Sequence, residues 1–386
     1  MKICIITSTR ADFGLLKNLI FKIKKNKKFK LKIIASGTHF SKKYGYTYNE
    51  IKDTKVKVDE KIICKFNSDN SQDISKVMSK CILDTSKLLK KLKPNLLIVL
   101  GDRYEILAST ISSSLCRIPV AHIHGGEVTN GAIDDAFRHS ITKMSHIHFV
   151  ANIIYKKRVI QLGENPKNVH IVGGLGVDSI AETNLISKAQ LEKKLKINLN
   201  KKSFLINFHP ETANKNTAQK HIKELLSALE TLKTPNLIFT MPGADLENRI
   251  IVDSIKKFCK NKKNTYFFKS LGQIKYFSLL KYIDAMIGNS SSGILEMPFF
   301  KKGTINIGDR QSGRVLSNSI INVKMRKNSI ILAINKLFSK NFKRKIVNNN
   351  FLYGHPGASK KIVKILEKIN LNNIRKKRFF DLNLKY

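Results

Sequence analysis

The sequence predicts an α/β protein with two Rossmann-like, doubly wound domains that face each other across a cleft. Short apolar runs alternate with longer amphipathic stretches along all 386 residues, and runs that are apolar throughout are typical of parallel strands covered on both faces. The alternation stops over 181–202, which is rich in Lys, Asn and Leu, and starts again at Ser203. We therefore expect an N-terminal domain over 1–180, a C-terminal domain over 181–371, and a mobile basic tail over 372–386.

The apolar runs give the predicted strands in chain order. In the first domain these are 2–6, 31–35, 96–100, 119–123, 147–150 and 169–172, and in the second they are 204–208, 236–240, 266–268, 285–287 and 304–307. The amphipathic stretches predict helices over 15–25, 75–92, 134–143, 217–232, 273–281 and 357–369. Ligands of such sheets bind beyond the carboxyl ends of the strands. Polar residues that directly follow a predicted strand are therefore the candidate site residues.

Composition argues against several classes of protein. Hydrophobic residues make up 42 % of the chain, too many for a disordered protein, and no apolar run approaches the roughly 20 residues that span a bilayer. The net charge of +43 first suggests a nucleic-acid partner. The lysines, however, are spread over helix faces, and no zinc-finger or RNA-binding signature accompanies them. We expect no nucleic-acid and no membrane partner. Five scattered cysteines without a Cys-x-x-Cys pair, and a start too polar for a signal peptide, favour a cytoplasmic location.

Two polar clusters follow strands of the first domain. Thr7-Ser-Thr-Arg-Ala-Asp-Phe-Gly14 combines hydroxyl side chains, Arg10 and a helix N-terminus, which suit a phosphate; the same residues also fit an N-cap turn with an exposed arginine. Gly101-Asp-Arg-Tyr-Glu105 closes strand 96–100, where Asp102 and Arg103 are either a general base beside an anion anchor or a plain ion pair. The glycine fingerprints of NAD and ATP sites are absent.

A third cluster combines carboxylates with imidazoles. It spans His122-Ile-His-Gly-Gly-Glu127 and Ile133-Asp-Asp-Ala-Phe-Arg-His139, and such a crowd near strand ends is what proton-transfer chemistry requires. The histidines at 122 and 124, and those at 146 and 148, are spaced to share a strand face. Neither pair has a third ligand at a diagnostic spacing, so we expect no metal.

The second domain carries loops that suit a nucleotide diphosphate. His209 follows strand 204–208, and Gly288-Asn-Ser-Ser-Ser-Gly293 follows strand 285–287. A Gly- and Ser-rich turn into a helix supplies N–H groups and hydroxyls to a diphosphate. Glu296 comes shortly afterwards and suits ribose hydroxyls, and Ile307-Gly-Asp-Arg-Gln-Ser-Gly-Arg314 adds two guanidinium groups.

Together these segments resemble UDP-N-acetylglucosamine 2-epimerases, and more narrowly their hydrolysing branch, which feeds sialic-acid synthesis. The resemblance runs in order over about 1–365 and is carried by the clusters at 101–105, 122–127, 138–144, 208–212, 287–293 and 308–311. It implies a glycosyltransferase type B fold, a homo-oligomer (dimer or tetramer) and a reaction without a cofactor. That reaction removes the proton on carbon 2 of UDP-N-acetylglucosamine, eliminates UDP in the anti sense and hydrates the resulting 2-acetamidoglucal to N-acetylmannosamine.

The resemblance also implies roles for individual residues. Those expected around the reacting sugar are Asp102, His124, Asp134, Asp135 and Arg138, with His209 counted among both the catalytic residues and the UDP contacts. The other residues expected to bind UDP are Arg10, Arg103, Ser290, Ser291, Glu296 and Arg310. Asp102 ranks first as the base, followed by Asp134 or Asp135.

Two departures from the non-hydrolysing pattern favour release of a free sugar. Non-hydrolysing members have a lysine where this chain reads Phe13-Gly-Leu15, and a glutamate where it has His124. An imidazole at this position is suited to act as an acid or a base near neutral pH.

Alternatives remain open. Closely similar enzymes act on UDP-N,N′-diacetylbacillosamine in legionaminic-acid synthesis, and the choice depends on the pocket around sugar carbons 4 and 6. Remoter alternatives are a sugar transferase of the same fold and a nucleic-acid-binding protein.

Overall fold

The computed structural model describes residues 1–42, 45–65, 70–130, 132–211, 217–242, 248–260, 262–347 and 352–382. The chain divides into two units, each built on its own parallel sheet. The first unit comprises Met1–Glu127, Asp134–Ala181 and the chain from Tyr353 onwards; the second comprises Val128–Ile133 and Glu182–Leu352. Thr212 of the predicted 208–212 cluster and residues 383–386 of the predicted tail lie outside the described residues.

The first unit has a seven-stranded sheet in the order β3-β2-β1-β4-β5-β6-β7, with every pair parallel. The strands are β1 (Lys2–Thr7), β2 (Lys30–Ala35), β3 (Glu60–Lys61), β4 (Leu96–Leu100), β5 (Val120–Ile123), β6 (Ile147–Val150) and β7 (Val169–Ile171). The helices are α1 (Arg10–Lys25), α2 (Tyr48–Asp53), α3 (Ser71–Leu92), α4 (Tyr104–Leu115), α5 (Asp134–Met144), α6 (Ile153–Gln161), α7 (Leu175–Ala181), α15 (Ala358–Lys368) and α16 (Leu371–Arg375). The strand order reverses between β1 and β4, so the turns that follow these two strands leave the same edge side by side.

The second unit repeats this design with six parallel strands in the order β10-β9-β8-β11-β12-β13. The strands are β8 (Ser203–Asn207), β9 (Asn236–Thr240), β10 (Thr265–Phe268), β11 (Ala285–Gly288), β12 (Gly303–Ile307) and β13 (Ile320–Val323). The helices are α8 (Lys188–Leu195), α9 (Ala218–Leu229), α10 (Asn248–Cys259), α11 (Gly272–Tyr282), α12 (Ser292–Leu295), α13 (Lys327–Leu337) and α14 (Lys340–Val347). No helix among the described residues is long and apolar enough to cross a bilayer.

The prediction of two α/β domains with parallel sheets is confirmed, and each predicted strand overlaps an observed one. The structure adds β3 and β13, which are edge strands of their sheets. The sequence analysis missed β3 because it is two charged residues long, and β13 because it is only partly buried and has no continuous apolar run.

The C-terminal boundary of the second domain requires correction. Helix α15 was expected in that domain, but it packs against α1 and shares the core of the first unit, where Ile362 and Leu366 join Leu16 and Leu19. The buried carboxylate of Asp178 on α7 accepts the backbone N–H of Ser359 at 2.8 Å and so caps α15. The second unit therefore ends at Leu352 instead of 371, and the first unit includes the chain up to Ala181 apart from Val128–Ile133.

The described part of the predicted tail is docked on the first unit. Lys377 Nζ lies 2.7 Å from Glu164 Oε2 and donates to the carbonyl oxygen of Ser145 at 2.6 Å. The ring of Phe379 lies 4.4 Å from Lys143 Nζ, and the N–H of Phe380 donates to a backbone carbonyl at 2.9 Å. The expectation of a mobile end is wrong for this segment, because a buried carboxylate and two carbonyl oxygens bind its lysine.

Candidate active site

The carboxyl edge of the first sheet holds the predicted carboxylates. Asp102 is the second residue after β4, and α5 begins with Asp134 and Asp135. Arg138 on α5 is 2 % exposed, and its guanidinium donates to Asp102 Oδ2 and, at 3.2 Å, to Asp135 Oδ1. It also donates to the carbonyl oxygen of Glu127 at 3.0 Å. One buried guanidinium therefore fixes two candidate carboxylates together with the loop that precedes α5.

The two carboxylates bound by Arg138 differ in how their oxygens are used. Within the described part of the chain, the contacts of the Asp102 carboxylate are with Arg138 through Oδ2, and this side chain is 25 % exposed. Asp135 uses both oxygens, since Oδ1 accepts from Arg138 and Oδ2 lies 3.5 Å from His139 Nε2. Asp102 is therefore the carboxylate with an oxygen available for a substrate proton.

His124 is held in one tautomer by Glu127. Its Nδ1 lies 2.8 Å from Glu127 Oε1, and its Nε2 accepts the backbone N–H of Leu175 at 3.4 Å. Because Nε2 accepts, the proton of the neutral ring is on Nδ1, where it donates to Glu127. Gly126 makes the turn that brings the carboxylate back to the ring: its φ is +77°, and a Cβ there would lie 2.5 Å from the carbonyl oxygen of Tyr155. The arrangement is that of a base oriented by a buried carboxylate.

His122 has a structural role. It is fully buried, its Nε2 donates to the carbonyl oxygen of Gly101 at 2.8 Å, and its Nδ1 accepts from Thr142 Oγ1 at 3.1 Å. Burial lowers the pKa of His122 to about 3, so the ring is neutral near pH 7. His122 therefore links the turn before Asp102 to α5.

No group of three or more His, Cys, Asp or Glu side chains among the described residues is arranged to hold a metal ion.

The loop after β1 forms an N-cap turn, the second of its two sequence interpretations. The Asp12 carboxylate accepts the hydroxyl of Thr7 at 2.6 Å, the N–H of Ser8 at 2.8 Å and the N–H of Thr9 at 2.9 Å. The side chain of Arg10 is 46 % exposed and lies 4.0 Å from Glu50. These hydroxyl and N–H donors are thus bound within the protein, and Arg10 is the group that this loop presents to an anion.

Arg103 does not pair with its neighbour Asp102. Its guanidinium donates to both oxygens of the fully buried Glu105, at 3.1 and 3.4 Å. Burial acts to lower the pKa of Arg103, but the negative charges of Glu105 and Asp134 are among the groups that raise it above its ordinary value. Arg103 is therefore a rigidly held cation at the start of α4.

In the second unit, Asn289 brings the predicted residues together at the ends of β8, β11 and β12. Its side chain accepts the N–H of His209 at 2.7 Å and donates to the carbonyl oxygen of the same residue at 2.8 Å. Its own carbonyl oxygen accepts from Arg310 at 3.2 Å and from Gln311 at 3.0 Å. Asn289 is fully buried, so Arg310 and the backbone of His209 are bonded to one fixed amide residue, next to Ser290 in the chain.

The remaining predicted UDP contacts surround α12. The hydroxyl of Ser290 accepts the N–H of Ser292 at 3.4 Å, and Ser291 precedes the helix without capping it through its side chain. Tyr276 donates to Ser292 Oγ at 2.6 Å, and Ser292 in turn donates to Glu296. Burial raises the pKa of Glu296. The carboxyl group is thus held in a fixed position immediately after the helix.

A profile of the UDP-N-acetylglucosamine 2-epimerase family matches residues 21–367. The chain belongs to this family. It is 44 % identical over 383 residues, 99 % of both chains, to the GDP/UDP-N,N′-diacetylbacillosamine 2-epimerase (hydrolyzing) of Campylobacter jejuni. It is 36 % identical to polysialic acid biosynthesis protein P7 of Escherichia coli, over 99 % of this chain and 97 % of that one. The fold matches the crystal structure of UDP-GlcNAc 2-epimerase from Neisseria meningitidis bound to UDP-GlcNAc with a TM-score of 0.83, at 19 % identity, over 96 % of this chain and 100 % of that one.

Several residues that organise the site of this 2-epimerase family member were given no role of their own by the sequence analysis. Glu105 and Glu127 bind Arg103 and His124, and Asn289 binds His209 and Arg310. Three of these partners lie within the predicted clusters themselves, at 101–105, 122–127 and 287–293. Their position in these clusters could have marked them as candidate site residues. It does not show which side chains are hydrogen-bonded to each other.

Glu211 is a fourth such residue. Its Oε1 accepts the N–H of Asp309 at 3.0 Å. A Cβ at Gly308 would clash with this carboxylate, and the φ of +75° there also disfavours a side chain. The loop that carries Arg310 is therefore anchored from the segment after β8.

Proposed function

We propose that the chain is a hydrolysing 2-epimerase of a UDP-linked 2-acetamido sugar, with UDP-N-acetylglucosamine as substrate and N-acetylmannosamine and UDP as products. One observation carries the proposal: Arg138 holds Asp102 and Asp135 at the same sheet edge from which the His124–Glu127 pair projects. Epimerisation at carbon 2 requires one group to remove a proton and another to return one to the opposite side. A carboxylate and a buttressed imidazole supply two such groups.

Asp102 is the proposed base for the carbon 2 proton. Arg138 orients its Oδ2 while the other oxygen accepts the proton, and the electron pair released at carbon 2 expels UDP from carbon 1. Arg10, Arg103 and Arg310 are the proposed cations that stabilise the departing diphosphate, together with the hydroxyls of Ser290 and Ser291. Glu296 is proposed to accept hydrogen bonds from the ribose hydroxyls.

His124 is the proposed second proton-transfer group. In this proposal its Nε2 exchanges the long 3.4 Å hydrogen bond from Leu175 for one from the water that adds to carbon 1 of the glucal. It then takes a proton from that water, and Glu127 stabilises the imidazolium that forms. The imidazolium then delivers a proton to carbon 2 on the face opposite Asp102. Asp134, Asp135 and His209 are proposed to bind the sugar and the leaving group in the geometry that these transfers require.

UDP-N,N′-diacetylbacillosamine is a second candidate substrate, because the Campylobacter jejuni relative named for that sugar is 44 % identical to this chain. Both candidates carry an acetamido group on carbon 2, and the same residues would perform the same steps. They differ at carbons 4 and 6, so the pathway supplied would be that of a sialic acid in one case and of legionaminic acid in the other.

The deciding experiment follows proton NMR of each UDP-sugar with the purified protein in heavy water. Free N-acetylmannosamine with deuterium on carbon 2, plus UDP, is the expected result for the first substrate. Turnover of the diacetamido sugar alone would keep the mechanism and change the substrate. Release of UDP from neither sugar would contradict the proposal. Asp102→Asn is the matched inactive control, since the amide retains the shape and cannot accept the proton.

The same proposal includes a reaction without a cofactor, a homo-oligomer of two or four copies, and a cytoplasmic location. Turnover after exhaustive dialysis against a chelator tests the first of these. Light scattering coupled to gel filtration measures the second, and fractionation of cells that express the protein tests the third.

A further inference from the structure

Cys64 and Cys81 form a buried thiol pair, and neither residue is among the candidate site residues. Cys64 lies in the extended segment after β3, Cys81 lies on α3, and their Sγ atoms are 3.7 Å apart. The two residues are 4 % and 1 % exposed, and all five cysteines are free thiols. A disulfide has a length of about 2.05 Å, so the sulfurs need a small approach to bond. We propose that Cys64 and Cys81 form a reversible disulfide when the folded protein meets a peroxide.

The surroundings give the two thiols different roles. The hydrogen bond with Cys81 lowers the pKa of Cys64 below its ordinary value, against the opposing effect of burial. The same hydrogen bond, with burial, raises the pKa of Cys81. A thiolate attacks and a thiol does not. Cys64 is therefore the attacking residue, and Cys81 is the residue that resolves the intermediate.

The reaction balances with hydrogen peroxide as the oxidant. The Cys64 thiolate attacks one peroxide oxygen, the O–O bond breaks, and Cys64 sulfenic acid and hydroxide form. The hydroxide removes the proton of Cys81 as water, the Cys81 thiolate attacks the sulfur of Cys64, the S–O bond breaks, and the departing hydroxide takes up the proton that Cys64 had lost, which gives the second water. Two thiols and one peroxide thus give one disulfide and two waters, with two electrons passing from sulfur to oxygen.

The neighbouring elements allow the bond to form in the folded state. Cys64 and Cys81 share an apolar core with Val77 of α3 and Ile106 of α4, and no charged side chain has to be displaced from between sulfurs already 3.7 Å apart. The bond would join the end of a short edge strand to a long helix. The proposal stands independently of the proposed function, because neither cysteine is among the site residues.

The test oxidises the full-length folded protein with hydrogen peroxide, denatures it, alkylates the remaining thiols and maps the peptides by mass spectrometry. We expect a peptide pair linked through Cys64 and Cys81, lighter by two hydrogen atoms and restored by dithiothreitol. The Cys116→Ser variant is the matched control and should form the same bond, because Cys116 lies outside the pair.

Single variants test the roles of the two thiols. In Cys81→Ser the reaction should stop at Cys64 sulfenic acid, which dimedone traps, whereas in Cys64→Ser dimedone should not label Cys81. The wild-type measurement needs no variant to fold. The proposal fails if both residues remain alkylatable after Cys116 has been oxidised, if either residue pairs with a different cysteine, or if dimedone labels Cys81 in preference to Cys64.

Discussion

At the scale of single residues, the buried guanidinium of Arg138 bonds two carboxylates and a carbonyl oxygen. Arg138→Lys preserves the charge but replaces a planar fork of donors with a point charge, which cannot reach all three acceptors. We expect kcat to fall about 100-fold, because the carboxylates lose their alignment with the sugar. The measurement is the steady-state rate of UDP release.

Arg117→Lys is the control for this change, since Arg117 is an exposed arginine on the same unit. Both variants should unfold at the wild-type temperature to within a few degrees. A kcat for Arg138→Lys equal to that of the control would show that alignment by Arg138 is not required for turnover.

His122 predicts how stability depends on pH. Its pKa is about 3 in the folded protein and about 6.5 in an unfolded chain. Between these values the unfolded state binds more protons, so this residue makes the protein less stable as the pH falls below about 6.5. The penalty is about 2 kcal/mol at pH 5.

His122→Gln removes the titrating group and retains an amide that can donate and accept. Between pH 6.5 and 5, its free energy of unfolding should therefore fall less steeply with decreasing pH than that of the wild type. The difference in slope should correspond to the uptake of about one proton on unfolding. Urea unfolding at a series of pH values measures both slopes. Equal slopes would mean that His122 takes up its proton in the folded state as readily as in the unfolded state.

The sequence showed which polar segments follow the strands but not which of their side chains pair. The polar clusters after strands were identifiable because parallel strands end at one edge of a sheet, and Asp102 and Arg138 are bonded to each other there. The proposed alternative of a pair between Asp102 and Arg103 is wrong: consecutive residues on a turn point apart, and each has a partner elsewhere, Arg138 and Glu105. Such pairings depend on tertiary packing, which no local pattern contains.

At the scale of elements, α15 also shows that a local sequence pattern predicts a helix but not what the helix packs against. Its amphipathic period predicted a helix over 357–369, and the helix spans Ala358–Lys368. The period could not show which core would receive the apolar face. That choice depends on α1, and on Asp178, whose carboxylate caps α15 from 181 residues earlier in the chain.

Asp178→Ala should therefore loosen a long-range helix cap. Two backbone N–H groups, of Gly357 and Ser359, would lose their shared acceptor, so we expect a loss of about 2 kcal/mol in the free energy of unfolding. Asp178→Asn keeps one acceptor oxygen and should lose less. Urea unfolding measures both, and hydrogen exchange at Ser359 locates the change. Unaltered exchange in Asp178→Ala would contradict the assigned cap.

At the scale of the whole molecule, the two-sheet architecture could be predicted because all strands except the edge strands β3 and β13 contain a mostly apolar run, and because that pattern is interrupted near 181–202. The return of the chain to the first unit after Leu352 could not be predicted. The pattern of the helix predicted over 357–369 does not show which core it joins, and 372–386 is basic and resembles a solvated tail. The net charge of +43 does not show which lysines are bound by other groups of the protein. Lys377 is such a residue, because Glu164 and two backbone carbonyl oxygens accept from it.

Lys377→Met tests whether the end of the chain is docked or merely basic. Methionine keeps most of the side-chain volume but leaves Glu164 and two carbonyl oxygens without this donor. We expect a loss of about 1–3 kcal/mol in the free energy of unfolding. Lys376→Met is the matched control, because Lys376 is exposed and its substitution removes the same single positive charge. If the tail is docked, only Lys377→Met lowers the free energy of unfolding. The loss caused by Lys377→Met should then be smaller in a Glu164→Gln background than in the wild type. In a mobile tail the two variants would behave alike.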